Sequence, residues 1–278
     1  MSATESRPRL KVGQALGDGW RAFQRAPWLF VGFFLALTAL QLLLQGIQAG
    51  LQVLLPPIDT GTLPSFPPAG APLGLGLASL PSRALIYGVI FLTLIAGLVI
   101  NIWGTCGMVR AAWVALGGGR PRLSTFVRFD PRVLWRLYFP GLLLRCAVIF
   151  AVVVVVVLTA VLGMVNPLLA LPTLLLLFAG FLYVAVSQTF LPQVALLHDT
   201  NPFDVLARGR EVVDPVWLDV LLLGLLNAAL LIAGLLACLI GLVVAAPVSI
   251  CMVTAAYRQL FGPEDRTGLL RTLPAAGS

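Results

Sequence analysis

Charge in this chain is segregated so sharply that it dictates the solvent in which the chain can fold. Sixteen of the eighteen basic residues fall in four short stretches, and long runs without any charged residue separate them. Those runs are Ala26 to Ile58, Ala84 to Val109, Cys146 to Leu197 and Val220 to Tyr257. Only 10% of the 278 residues are charged and 59% are hydrophobic, whereas a soluble domain carries about 25% charge. Such a surface cannot stay dispersed in water and requires lipid. A membrane helix takes about 20 apolar residues. The first two runs hold one span each. The other two are too long for one helix, which rises about 1.5 Å per residue across a hydrocarbon core about 30 Å thick. The third is expected to break near Gly163, Asn166 and Pro167, and the fourth near Gly241 or Pro247. The expected fold is all-α, a polytopic transmembrane helical bundle in one integral membrane domain. Its six spans are expected at about 28–54, 84–109, 138–162, 168–195, 217–240 and 243–261.

The basic stretches orient these spans, because lysine and arginine are held on the cytoplasmic side. The first stretch has Arg7, Arg9, Lys11, Arg21 and Arg25, and the second Arg110, Arg120, Arg122, Arg128, Arg132 and Arg136. The third has Arg208 and Arg210, and the fourth Arg258, Arg266 and Arg271, while the opposite side has Arg83 alone. An even number of spans keeps all four on one side, so both termini are expected to be cytoplasmic. No cleavable signal peptide is expected, because the first apolar run is too long for a signal h-region. Cys106, Cys146, Cys238 and Cys251 all fall within or at the edge of spans and form no C-x-x-C pair. They read as small polarizable packing residues rather than a disulfide framework.

The basic stretches carry structure of their own. Leu16, Trp20 and Phe23 recur at helical spacing. Ser124 can cap a segment with Phe126, Phe129 and Val133. Asn201 suits an N-cap, Pro202 a first helical position and Asp204 a first turn. Interfacial helices are therefore expected at about 10–25, 124–136 and 202–213, lying along the cytoplasmic membrane surface. Each is followed by proline and tryptophan, at Pro27 and Trp28, Pro131 and Trp135, and Pro215 and Trp217. Proline ends the surface helix, and Trp28, Trp135 and Trp217 are expected to anchor at headgroup level. The loop at 56–83 is rich in proline and glycine and is expected to be an extracytoplasmic connector.

Few residues can carry chemistry. Arg145 lies inside the third span, where a charge costs several kcal/mol unless paired, hydrated or snorkelled. The preferred reading is that it reaches back to the headgroups; otherwise it pairs with a cytoplasmic-edge acid such as Asp219 or meets a lipid phosphate. Gln41, Gln45, Gln48 and Gln52 share one helical face of the first span, with Gly46 and Gly50 beside them. That face is either a candidate polar groove or a set of amides bonding neighbouring helices, and the second reading is preferred. Asn227 in mid-span is expected to pair across helices. His198 is the only histidine, too little for a metal site. Gly117-Gly118-Gly119-Arg120 lacks the lysine and hydroxyl of a phosphate loop, and Gly74-Leu75-Gly76 lacks the third glycine of a dinucleotide loop. No catalytic, cofactor-binding or metal residue is expected, and no cofactor. The arginine-rich face fits anionic headgroups, at about 1 kcal/mol per basic residue, better than nucleic acid.

The most specific stretch runs from Asn201-Pro202-Phe203-Asp204 through Arg208, Arg210-Glu211 and Trp217 to Gly241, Pro247 and Ala256-Tyr257-Arg258. It resembles the YciC-like family of six-span bacterial membrane proteins, related to the membrane domain fused to some glycerophosphodiester phosphodiesterases. The resemblance implies a bacterial plasma (inner) membrane protein without an assigned reaction. These 278 residues have neither the length nor the acids and histidines for the catalytic domain of the fused relatives, so that activity is not expected to carry over. The expected function is a non-enzymatic membrane scaffold or assembly module. Its expected partners are the lipid bilayer, anionic lipid headgroups at the cytoplasmic face and other membrane proteins. The alternative is a transporter or lipid-handling protein using the polar face of span one and Arg145.

Overall fold

Apolar runs of this length leave the backbone one way to satisfy its polar groups without water, the α-helix. The computed structural model describes residues 10–54, 80–128, 131–165, 170–197, 202–237 and 240–262. These form helices α1 (Val12–Gln24), α2 (Pro27–Leu54), α3 (Leu80–Leu116), α4 (Leu123–Val127) and α5 (Pro131–Val165). They continue with α6 (Ala170–Ser187), α7 (Leu191–Leu197), α8 (Pro202–Val213), α9 (Trp217–Leu236) and α10 (Ile240–Phe261). A single 3₁₀ turn at Asp214–Val216 joins α8 to α9. No strand occurs among the described residues, and six stretches are long and apolar enough to cross a membrane.

Proline sets several helix starts. Pro27, Pro131 and Pro202 each open a helix, where the missing N–H has no intrahelical partner to lose. This changes the expected segment at 124–136. Its helix α4 is only five residues long, and Pro131 already begins the long helix that carries the third span. Arg122, not Ser124, occupies the N-cap position, and its backbone N–H donates to Thr125 Oγ1 at 3.4 Å. In the last apolar run the turn falls at Ala237, ahead of Gly241. Pro247 lies inside α10. Gly241 serves close approach instead: a β-carbon there would stand 2.7 Å from the Gly234 carbonyl oxygen, and one at Gly234 2.8 Å from Ala245 Cβ. The expected N-cap Asn201, as well as Asn166, Pro167, His198 and Cys238, lies outside the described residues. So does the loop at 56–79 within the expected 56–83 connector.

The described residues group into two compact units, one of Leu35–Asn101 and the other of the chain up to Phe34 and from Ile102 onward. In the larger unit α1 lies on α10. Its buried face is Ala15, Gly19, Ala22 and Phe23, and the first three are small enough to let the two backbones approach. Trp20, expected on that face, is 45% exposed. The last turns of α3 are enclosed: Cys106, Val109, Ala112 and Trp113 are buried. Phe30 meets Phe126 edge-on at 5.2 Å between ring centroids, and Phe33 touches Phe126 and Trp103. Gly107 passes so close to α4 that a β-carbon would stand 2.4 Å from the Phe126 carbonyl oxygen. A second aromatic cluster joins Phe190, Tyr257 and Phe261, the last two stacked at 4.4 Å.

Burial is uneven along the apolar helices. No residue of the most apolar window of α5 is buried, against 56% of that of α10. Side chains such as Ile149, Phe150, Val153 and Val157 on α5 are exposed. Exposure of this extent is tolerated only where lipid replaces water as the solvent.

Candidate functional site

The charged face of α1 follows from its spacing. Asp18, Arg21 and Arg25 stand at i, i+3 and i+7, so they share one side of the helix, adjacent to the face that packs on α10. Docking α1 on α10 brings that side against Arg258 and Gln259 at the far end of α10. The C-terminal end of α3, at Ala115 and Leu116, closes the third side. The result is a cavity of about 470 Å³ lined by Asp18, Arg21, Arg25, Arg258 and Gln259, with Ala22, Ala115, Leu116 and Ala255. That volume is within the range of small-ligand sites, about 300–1,000 Å³.

Each polar group is held in a definite way. Arg21 Nη2 donates to Asp18 Oδ1 at 2.7 Å, an ion pair within α1. Arg25 Nη1 donates to the Ala115 carbonyl at the end of α3, an oxygen that also accepts from the Gly118 N–H and lies at the partially negative end of the helix. The Arg258 guanidinium lies over the indole of Trp113, 5.2 Å from the ring centroid, a cation–π contact. The Lys11 backbone N–H donates to Gln259 Oε1 at 3.0 Å. Because an N–H can only donate, this bond fixes the amide, leaving Gln259 Nε2 buried and without a partner among the described residues. The cavity therefore presents three guanidinium groups against one carboxylate.

The residues singled out from the sequence fall elsewhere. In the smaller unit Gln41 Nε2 donates to the Gly97 carbonyl at 2.8 Å, and Gln48 Nε2 to Thr93 Oγ1 at 3.1 Å. Both join α2 to α3. Gln45 is exposed, and the Gln52 side chain lies outside the described residues. Gly46 and Gly50 have nothing within reach of an added β-carbon, so neither forms a close helix crossing among the described residues. Arg145 is exposed on α5. Trp28 and Trp135 are 85% and 60% exposed, while Trp217 is half-buried with its Nε1 unpartnered among the described residues. The Asn227 side-chain oxygen is likewise buried and unpartnered among them. The end of the Ala256-Tyr257-Arg258 motif finds its use here. Tyr257 is buried in the aromatic cluster, within 6.1 Å of Trp113, and Arg258 lies above that same indole.

A second concavity is apolar. Val148, Ala151, Val152 and Val155 of α5 face Leu176, Leu177, Gly180, Phe181 and Val184 of α6 across about 220 Å³. Arg145 precedes Val148 by three residues, so it continues the same stripe of α5.

Sequence reading placed Arg21 and Arg25 within one expected helix but did not join them to Arg258. The i, i+3, i+7 charge spacing was the available signal, and the partner helix lies at the other end of the chain. Comparison of the chain with protein-family models, with curated proteins and with solved structures yields no match.

Proposed function

We propose that this chain is a non-enzymatic integral membrane protein acting as a scaffold or assembly module. It lies in a bacterial plasma membrane, with both termini and the arginine-rich helix ends on the cytoplasmic side. The observation that carries the reading is the locked platform formed by α1, α4 and the ends of α3 and α10. Glycine contacts and interlocked aromatic rings fix it, so it offers a shaped surface rather than a flexible connector. The resemblance of the last third to YciC-like six-span proteins supports the same reading. Purification of the tagged full chain in mild detergent, with quantitative identification of what accompanies it, tests the role. Recovery of no stoichiometric partner membrane protein would refute it. Orientation is tested by labelling intact cells with an impermeant maleimide. A cysteine placed in the 56–83 loop should react, and one at Arg122 should stay protected.

One observation favours a second reading, lipid handling. An apolar groove of about 220 Å³ between α5 and α6 continues along the stripe that bears Arg145. The arginine would hold a phosphate while the groove takes a chain. Under this reading Arg145→Gln abolishes lipid transfer between reconstituted vesicles. Unchanged transfer removes it.

A further inference from the structure

We infer that the cavity between α1, α10 and the end of α3 is a binding site for a phosphate-type oxyanion. This goes beyond the scaffold reading and does not rest on it. Two features of the cavity point to the ligand. First, its charge is unbalanced: three arginines line it against one aspartate. Second, two of those arginines are fixed by neutral groups. Arg25 is held by a backbone carbonyl and Arg258 by the face of an indole. Such contacts set position without cancelling charge. A guanidinium has five N–H donors, so one bond at Arg25 leaves most of its fork free. Stacking on Trp113 leaves the donor edge of Arg258 free in the plane of the group.

An anion answers both at once. Guanidinium forks match the tetrahedral oxygens of phosphate with charge-assisted, bidentate hydrogen bonds, and a neutral ligand leaves the charge excess standing. Asp18 tempers the site. It occupies Arg21 in the ligand's absence, and its charge opposes any anion that enters. Two sources present this chemistry, the headgroup of an anionic phospholipid and free phosphate. Both meet the same donors.

The test uses the full chain in mild detergent, titrated with phosphatidylglycerol and, separately, phosphatidylcholine, with bound lipid counted by native mass spectrometry. Inorganic phosphate is added alone and in competition. The expected result is one tightly held phosphatidylglycerol and no equivalent phosphatidylcholine. Arg21→Gln and Arg258→Gln each weaken Kd about fivefold, the change for one basic residue near an anionic group. Asp18→Asn tightens it by a similar factor, a gain that damage to the fold cannot produce. Arg210→Gln, an exposed arginine on α8 outside the cavity, leaves it unchanged. Displacement of the lipid by millimolar inorganic phosphate assigns the site to the free oxyanion, and lack of displacement assigns it to the headgroup. The inference is overturned if the two lipids bind alike and inorganic phosphate does not bind. It is also overturned if binding follows Arg145 rather than the cavity residues, or if Asp18→Asn fails to tighten it. Should either arginine variant fail to fold, the Asp18→Asn comparison decides alone.

Discussion

Replacing Gly19 by alanine isolates the contact that holds α1 in place. A β-carbon at Gly19 would stand 2.6 Å from both the Cα and the N of Met252, and 3.1 Å from the Cys251 carbonyl carbon. All of these are backbone atoms of α10, so no rotamer change relieves the clash, and α1 must move away by about 1 Å to restore a carbon–carbon separation of about 3.5 Å. Overpacking of this kind costs about 1–3 kcal/mol, and the backbone partners put Gly19→Ala toward the upper end. Alanine in a helix interior recovers about 1 kcal/mol over glycine. The net expectation is a loss of about 1–2 kcal/mol. Gly13 and Gly17 lie on the same helix with nothing within 4 Å of an added β-carbon. Gly13→Ala and Gly17→Ala should therefore raise stability by up to about 1 kcal/mol. The same chemical change thus has opposite signs within one helix. Apparent Tm in detergent reads the difference, at about 2–4 °C per kcal/mol. Thiol labelling mapped by peptide mass spectrometry reads the cause. Cys251 is fully buried at this contact, and it should gain reactivity in Gly19→Ala alone. If Gly19→Ala is as stable as Gly17→Ala and Cys251 stays protected, α1 is not seated on α10 as described.

Three further perturbations separate the remaining contacts. Gly241→Val should destabilise the α9–α10 hairpin more than Gly224→Val, whose site is open; apparent Tm in detergent measures both. Gln41→Leu and Gln48→Leu each remove one α2–α3 hydrogen bond. Each should cost about 0.6 kcal/mol and no more than about 1.7, measured by unfolding in mixed micelles. Tyr183→Phe cuts the chain in which Arg210 Nη2 donates to the Tyr183 hydroxyl and that hydroxyl donates to Asp214 Oδ1. The groups are exposed, so global stability should fall by at most about 1 kcal/mol, while amide exchange in α8 should quicken.

The six apolar helices were legible because their signal is local and repeated. Run length, absence of charge and proline each act on the residues that carry them. The starts of α2 and α8 follow the same logic, since Pro27 and Pro202 need no N–H partner in a first turn. Pro131 shows where that logic runs short. A proline can end one helix or begin the next, and sequence alone does not choose. The expected helix at 124–136 is divided because α4 ends at Val127, held against Gly107, and α5 begins at Pro131. Gly241 is a similar case. Glycine marks a turn or a close contact, and the carbonyl of Gly234 decides for contact.

What sequence could not give was which faces meet. Helical periodicity put Leu16, Trp20 and Phe23 together as the apolar side of α1, and hydrophobicity alone would bury them. The helix instead buries Ala15, Gly19 and Ala22, because proximity to another backbone rewards small size over apolar area. Phe23 falls in both sets and is buried, while Trp20 is left exposed. That choice rotates α1 and turns Asp18, Arg21 and Arg25 toward α10 and α3. The cavity is therefore a consequence of Gly19. Had α1 packed through its larger side chains, its arginines would point away from Arg258, and each could be neutralised separately by solvent. Concentrating them around one space while giving two of them neutral partners is a costly arrangement for a chain with few acids. It becomes favourable when an anion enters, which is why the contact at Gly19 and the occupancy of the cavity should rise and fall together.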